Sequence, residues 1–343
     1  MLITRNQSLL FSDPDAIIGG VLGEPFRKYR RNFRLAERGK AFPFPLHLDL
    51  DLTTRCNLKC PVCPAGNPSR SIFPGLGRDM DPSLYEAALK EASRHALPSL
   101  RLGMTGEPLL LKEIPQYASL AAAYGVLDVS LVTNGRLLTG DLSLALIKSG
   151  LTRLMVSVDA WTEADYARRR PGGSFRRLLN NLDDFLRARA ELKSPLPVLR
   201  LSFVDRGLDA KEKREILEFF AETADYLVFQ KYQNLTGEGG EGDGASGDFY
   251  CGEPFARLAL HADGGLFPCC SDYGRIAPVG FFPETSLREA WNSPQAALAR
   301  SQGKEGRLHP SCAACRGLES AGEIYPYSKR SLPKEGKDLS AGA

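Results

Sequence analysis

The chain has 343 residues, 43% of them hydrophobic and 25% charged, the balance of a globular protein able to bury a large core. A formal net charge of +3 gives no whole-molecule attraction to nucleic acid, and no run of 18 apolar residues offers a membrane span. Asp13 and Asp15 interrupt the N-terminal apolar stretch, so no secretory signal is expected and the protein reads as cytoplasmic.

Residues 1–45 form a loosely patterned arm, in which Phe26, Tyr29, Phe33 and Leu35 would cover one face of a short helix. From Leu46 to Gln230 strand and helix patterns alternate. Strands are expected at 46–52, 100–104, 126–133, 153–159, 198–204 and 226–230. The intervening helices are expected near 81–95, 112–124, 141–149, 174–192 and 210–223. Asp81-Pro82 and Ser174 are good helix starts, and Phe175, Leu178, Leu179, Leu182, Phe185 and Leu186 keep helical spacing. Six such steps imply parallel strands with right-handed crossovers, with chemistry at the C-terminal ends of the strands. Residues 237–249 are a glycine-rich linker or mobile loop. Beyond it lie a small domain over 250–320 and a tail over 321–343.

The first strand runs into Cys56-Asn57-Leu58-Lys59-Cys60-Pro61-Val62-Cys63, a C-x3-C-x2-C loop. Three thiolates on one loop can hold three corners of a cubane iron–sulfur cluster and leave the fourth iron open, which a catalytic centre needs. Zinc would want a fourth ligand nearby; His47, on the strand, would have to reach back. After strand two, Gly103-Met104-Thr105-Gly106-Glu107-Pro108 combines close backbone approach with a carboxylate acceptor. After strand three, Asn134-Gly135 is a favourable turn pair. Period-2 alternation puts Ser157 and Asp159 on one face of strand four, which suggests a polar ligand. Arg170, before Pro171-Gly172-Gly173, is suited to a carboxylate, although Arg168 and Arg169 compete for that role. These arginines and the cluster Arg27–Arg31 are local basic runs of the kind that usually form solvated faces.

A reducing compartment argues against disulfides. The remaining cysteines are Cys251, Cys269, Cys270, Cys312 and Cys315. Cys251, Cys269, Cys312 and Cys315 can close a [4Fe–4S] site; a four-cysteine zinc site is the lesser alternative, since paired Cys-x2-Cys spacing suits zinc as well. Between them 261–269 reads as strand–turn–strand, and Ser286–Trp291 as a helix. Cys270 is left over as a structural residue, a rival ligand or a reactive thiol.

The cysteine loop, the glycine–Glu107 turn and the Thr133-Asn134-Gly135 turn together resemble the radical SAM enzymes, and the C-terminal cysteines resemble their SPASM and twitch auxiliary-cluster domains. Thr105 replaces the first glycine of the family's Gly-Gly-Glu-like motif, and Val62 stands where an aromatic residue is frequent. Too few cysteines remain for a full SPASM set, so the resemblance is to the shorter twitch version. It implies a partial (β/α)6 TIM-like barrel carrying a small auxiliary domain. It also implies S-adenosylmethionine on a [4Fe–4S] cluster held by Cys56, Cys60 and Cys63, and an auxiliary [4Fe–4S] cluster on the distal cysteines. Gly106, Glu107, Asn134, Ser157, Asp159 and Arg170 would contact S-adenosylmethionine.

The resemblance further implies a 5′-deoxyadenosyl radical that abstracts a substrate hydrogen, with the auxiliary cluster accepting an electron, as in twitch-type alcohol dehydrogenases. Alternatives are an epimerase in which Cys270 returns the hydrogen atom, a peptide-modifying maturase, and a non-catalytic electron carrier. The expected partners are a small-molecule or peptide substrate and a flavodoxin- or ferredoxin-type electron donor.

Overall fold

In the computed structural model the described residues are 6–10, 12–63, 65–66, 76–231, 251–270, 272, 275, 277–301 and 309–310. The expected linker at 237–249, the tail, Cys312 and Cys315 lie outside them. The ten strands among the described residues belong to one sheet. Six of them, β2 (His47–Leu50), β3 (Ser99–Leu102), β4 (Asp128–Thr133), β5 (Arg153–Ser157), β6 (Val198–Asp205) and β7 (Tyr226–Lys231), lie side by side in chain order, every neighbour parallel. The helices between them are α2 (Pro82–Arg94), α3 (Ile114–Ala123), α4 (Gly140–Lys148), α5 (Glu163–Arg169), α6 (Phe175–Glu191) and α7 (Ala210–Phe220). Asp81 and Ser174 cap α2 and α6 through their side chains, as their sequence positions suggest. The short α5 was not anticipated.

The two faces of the sheet differ. Leu48, Leu50, Leu100, Leu102, Val129, Leu131, Leu154, Val156, Leu199 and Leu201 are fully buried in one apolar cluster with the helices. Burying each such side chain contributes about 1.5–3 kcal/mol. The alternate positions carry His47, Asp49, Asp51, Ser99, Arg101, Asp128, Ser130, Arg153, Arg200 and Ser202. These polar groups face one another: Asp49 accepts from His47 at 3.1 Å and pairs with Arg101 at 2.9 Å, and Arg153 pairs with Asp128 at 3.0 Å.

The sheet continues past both sides of the parallel array. β1 (Asn6–Leu10) pairs antiparallel with β7. At the other side β8 (Arg257–Leu260), which follows the short α8 (Glu253–Ala256), pairs parallel with β2, and β9 (Gly265–Phe267) and β10 (Gly280–Phe281) follow antiparallel. Five strand spacings, about 24 Å in a flat sheet, would separate β6 from β8. Yet Val198 and Tyr226, at the starts of β6 and β7, share one buried cluster with Leu46 and Ala256, beside the starts of β2 and β8, so the sheet curls and its polar face is the inside of a partial barrel.

The N-terminal arm is more ordered than its pattern suggests. It forms α1 (Pro14–Glu37), broken at Gly23, whose backbone takes φ 70°. Phe26, Tyr29 and Phe33 pack with Leu46, Val198, Tyr226 and Ala256, at or beside the first residues of their strands. α1 therefore plugs the end of the barrel where the strands begin. Leu35, expected on the packed face, is 40% exposed; it lies two residues from Phe33, about 200° round the helix. Further along the chain, α9 (Leu287–Trp291) is held to the barrel by Glu91 of α2, which accepts from the amides of Leu287 and Arg288, both at 3.0 Å.

Candidate functional site

The open end of the barrel gathers the loops that leave β2, β3, β4 and β5. The cysteine loop follows β2. Its local fold is set by two tight turns, in which the amide of Cys63 donates to Cys60 O at 3.1 Å and that of Gly66 to Cys63 O at 3.0 Å. A Cβ on Gly66 would lie 2.6 Å from Cys60 N, so only glycine lets this backbone close on the cysteine.

Two neighbouring loops hold the cysteine loop in place. The amide of Lys59 donates to Pro171 O at 2.9 Å. From the turn after β4, Arg136 donates to Asn57 O, and Asn134 Nδ2 to Asn57 Oδ1, both at 2.8 Å. Asn134 Nδ2 also lies 4.0 Å from Cys56 Sγ.

Glu107 is the hub of this rim. It is 2% exposed. Its carboxylate accepts from Thr133 Oγ1 at 2.6 Å, from the amide of Asn134 at 2.6 Å and from that of Leu109 at 3.0 Å. Burial pushes its pKa up, against those hydrogen bonds and the attraction of Arg170. The turn that carries it is pressed against β2's extension: the amide of Gly106 donates to Thr53 O at 3.1 Å, and a Cβ there would meet Thr53 O and Arg55 O at 2.4 Å. Gly106 is thus a packing requirement of this turn.

Of three successive arginines, Arg170 alone is buried. Arg168 is exposed and pairs with Asp165. Arg170 pairs with Asp159 at 2.5 Å. Burial works against its charge, but Asp159, Cys60 and Tyr166 overcome that and raise its pKa. Asp159 does not continue β5 as the alternation suggested. Its φ of 62° turns the chain, and its second oxygen accepts from the amide of Val204 at 2.7 Å. Both oxygens are therefore engaged by protein groups. Ser157, half-buried, ends β5 opposite Ser202.

Two of the three thiols are perturbed by their surroundings. Burial raises the pKa of Cys56, and that of Cys60 to about 11, with Cys63 adding to both and Arg170 opposing. No three metal-binding side chains among the described residues converge on one point. A lone zinc ion needs such convergence; a cubane, each of whose corners takes one thiolate, does not. His47 is not a fourth ligand: its ring nitrogens contact Ser99 Oγ at 2.7 Å and Asp49 at 3.1 Å.

Of the distal cysteines, Cys251 is buried before α8 and Cys269 is buried after β9. Cys270 is half-buried and hydrogen-bonds with Cys269. That contact and burial push its pKa well up, while Asp49 raises it and Arg101 lowers it. Cys270 thus adjoins charges of the barrel interior.

Sequence reasoning missed Thr133, Arg136 and Asn57 as partners of the site residues. Charged residues recurring at every second strand position were the available signal for the polar interior.

Comparison with known proteins bears on the family and the fold. Residues 50–220 match the radical SAM superfamily and residues 251–316 match an iron–sulfur cluster-binding domain, SPASM. A GTP 3',8-cyclase of Marinobacter nauticus is 25% identical over 73% of this chain and 72% of its own length. Several further proteins bearing that name match over about half their length. Among solved structures, BtrN in complex with AdoMet and 2-DOIA aligns with a TM-score of 0.52 at 17% identity, over 81% of this chain and 93% of its own. Streptococcus suis SuiB bound to S-adenosylmethionine aligns with a TM-score of 0.58 at 17% identity, over 80% and 72%. Both support the fold. No helix among the described residues is long and apolar enough to cross a membrane.

Proposed function

This chain belongs to the radical SAM superfamily and carries a C-terminal iron–sulfur cluster-binding domain, and from that premise we propose that it is an oxidoreductase of the dehydrogenase type acting on a small-molecule or natural-product substrate. Its cofactors are [4Fe–4S] clusters and S-adenosylmethionine. Cys56, Cys60 and Cys63 would hold the first cluster, which would supply the electron for cleaving S-adenosylmethionine and so the radical that removes a substrate hydrogen.

The rest of the work falls to side chains. Glu107, fixed by three donors, is the acceptor for the ammonium of S-adenosylmethionine. Arg170, held by Asp159, is the donor for its carboxylate. Asn134 and Arg136 keep the cysteine loop closed over the barrel mouth. Cys251, Cys269, Cys312 and Cys315 would hold the auxiliary cluster, which would supply the acceptor for the second electron that a net oxidation releases. A flavodoxin- or ferredoxin-type protein delivers the first electron.

The observation that carries this reading is the convergence of the cysteine loop, Glu107, Asn134 and Arg170 on one rim. Anaerobic reconstitution tests it. About eight irons per chain and formation of 5′-deoxyadenosine are expected. Replacing Cys56, Cys60 and Cys63 with Ala together should leave about four irons and no 5′-deoxyadenosine. Wild-type protein without inorganic sulfide, or without turnover of S-adenosylmethionine, would end the proposal.

A redox-neutral reaction is the second reading, favoured by the Cys270 thiol beside the barrel interior and by the ring closure implied in the cyclase name of the relatives. Deuterium from solvent appearing at the reacting carbon of the product, and its loss in Cys270→Ala, would establish an epimerase. Unchanged activity of that variant without deuterium uptake would exclude it.

A further inference from the structure

Four arginines, Arg101, Arg153, Arg200 and Arg257, lie on the polar face of the curled sheet, on β3, β5, β6 and β8. Three of them have carboxylates. Arg153 pairs with Asp15 at 2.9 Å and Asp128 at 3.0 Å. Arg101 pairs with Asp49 at 2.9 Å. Arg257 pairs with Glu253 at 2.5 Å and lies 3.6 Å from Asp49.

Arg200 has no ion pair among the described residues. Its Nε donates to Ser202 Oγ at 2.9 Å, and one terminal nitrogen lies 3.4 Å from the thioether of Met155, a weak acceptor. Five N–H donors are available on a guanidinium, so most of its capacity is unspent. Burial lowers its proton affinity, and Arg101, Arg153 and Arg257 lower it further against a partial offset from Tyr226. A charge so placed is unfavourable until an anion joins it. The side chain is only half-buried, so an incoming group can reach it. The cluster also lies below the rim: Arg101 stands two residues before Gly103, where the turn bearing Glu107 begins.

We infer that the barrel interior binds an anionic group of the substrate, a phosphate or a carboxylate, on Arg200, on the face that also carries Arg101, Arg153 and Arg257. Guanidinium suits either group, because its planar fork pairs with two oxygens at once. The substrate class is then an anionic small molecule, anchored at mid-barrel with its reacting carbon directed toward the cysteine-loop end. Calling the bound anion a substrate rests on the proposed radical chemistry; the anion site itself does not.

The test is isothermal titration of the reconstituted full-length protein at constant ionic strength, with inorganic phosphate, pyrophosphate and succinate as probes. Saturable binding of at least one is expected. Arg200→Gln should weaken it about tenfold or more, and Arg200→Lys, which keeps the charge, should weaken it less. Binding of the phosphates alone assigns a phosphorylated substrate; binding of succinate alone assigns a carboxylate.

No saturable binding by any probe, or unchanged affinity in Arg200→Gln, overturns the inference. Thermal unfolding without added anion provides a readout that a structural ion pair would move the other way. Arg200→Met should melt at or a few degrees above the wild type; a fall of several degrees would make Arg200 a structural cation and also overturn the inference. The electron paramagnetic resonance spectrum of the reduced cluster, recorded with and without S-adenosylmethionine, separates the two readings. A perturbed spectrum without anion binding removes only the anion site, and anion binding with an unperturbed spectrum removes only the radical chemistry.

Discussion

The two faces of the parallel sheet are built on the same strands yet held together by different physics. The outer face is a continuous apolar layer against the helices, with Leu48, Leu50, Leu131, Val156 and Leu201 fully buried. The inner face is a lattice of buried ions in which Asp49 alone engages His47, Arg101 and Arg257. Apolar burial is non-directional and degrades gradually, whereas a buried charge that loses its partner is left wholly uncompensated. One face stabilises; the other is held ready for something polar.

Substitutions can break this contrast. The largest expected effect is on the inner face. Asp49→Ala removes a buried carboxylate that Arg101, Arg257 and His47 share, and should lower unfolding stability by about 3–5 kcal/mol, measured by urea titration. On the end plug, Phe33→Ala should cost about 3–5 kcal/mol by cavity formation, whereas Leu35→Ala should stay within about 0.5 kcal/mol.

Acidity sharpens the comparison further, because only the inner face titrates. Burial holds the folded His47 pKa below its ordinary value, although Asp49 pulls the other way. The unfolded imidazole takes up a proton near pH 6.5 while the folded one resists, so stability should begin to fall as pH drops below about 6.5. Burial would raise the Asp49 pKa, but Arg101, His47 and Arg257 overcome it and depress it strongly. Its stabilisation is present above the unfolded value of about 3.9 and is lost on further acidification. Urea midpoints measured from pH 8 to 3 should show both legs, and His47→Gln should flatten the upper one.

A smaller effect is expected at the rim. Asp159→Asn keeps an acceptor for the amide of Val204 and tolerates the left-handed φ, but removes the charge that holds Arg170. It should weaken S-adenosylmethionine binding about tenfold while shifting the melting temperature by no more than a few degrees. A large loss of stability with unaltered binding would reverse the assigned roles.

The contrast also explains what could be read from the sequence. Helix starts such as Asp81-Pro82 and Ser174 are local signals, and so is the period of the strands; both led to the six strand–helix steps. The cysteine loop was legible because its spacing is chemistry in itself. Arg170 could not be told from Arg168 and Arg169, since the choice depends on Asp159 leaving its strand. The pairing of β8 with β2 was hidden because it joins residues some two hundred positions apart. The arm at 1–45 looked irregular because Gly19-Gly20 and Gly23-Glu24-Pro25 punctuate it; Gly23 bends the helix and the chain resumes beyond it. The arginines of the polar face escaped notice because each is one polar letter on its own strand.

β1 hides a liability. A parallel array left open along β7 would present a row of bare amides and carbonyls to any passing chain. The five residues Asn6–Leu10 pair along that ladder, and Ser12 ties off its far end through its amide and hydroxyl on Asp225 O, at 3.0 and 3.2 Å. Trimming the first dozen residues would therefore leave every site group in place and still yield a sticky protein, prone to self-association by edge-to-edge stacking. Affinity handles belong upstream of Asn6, never in its stead.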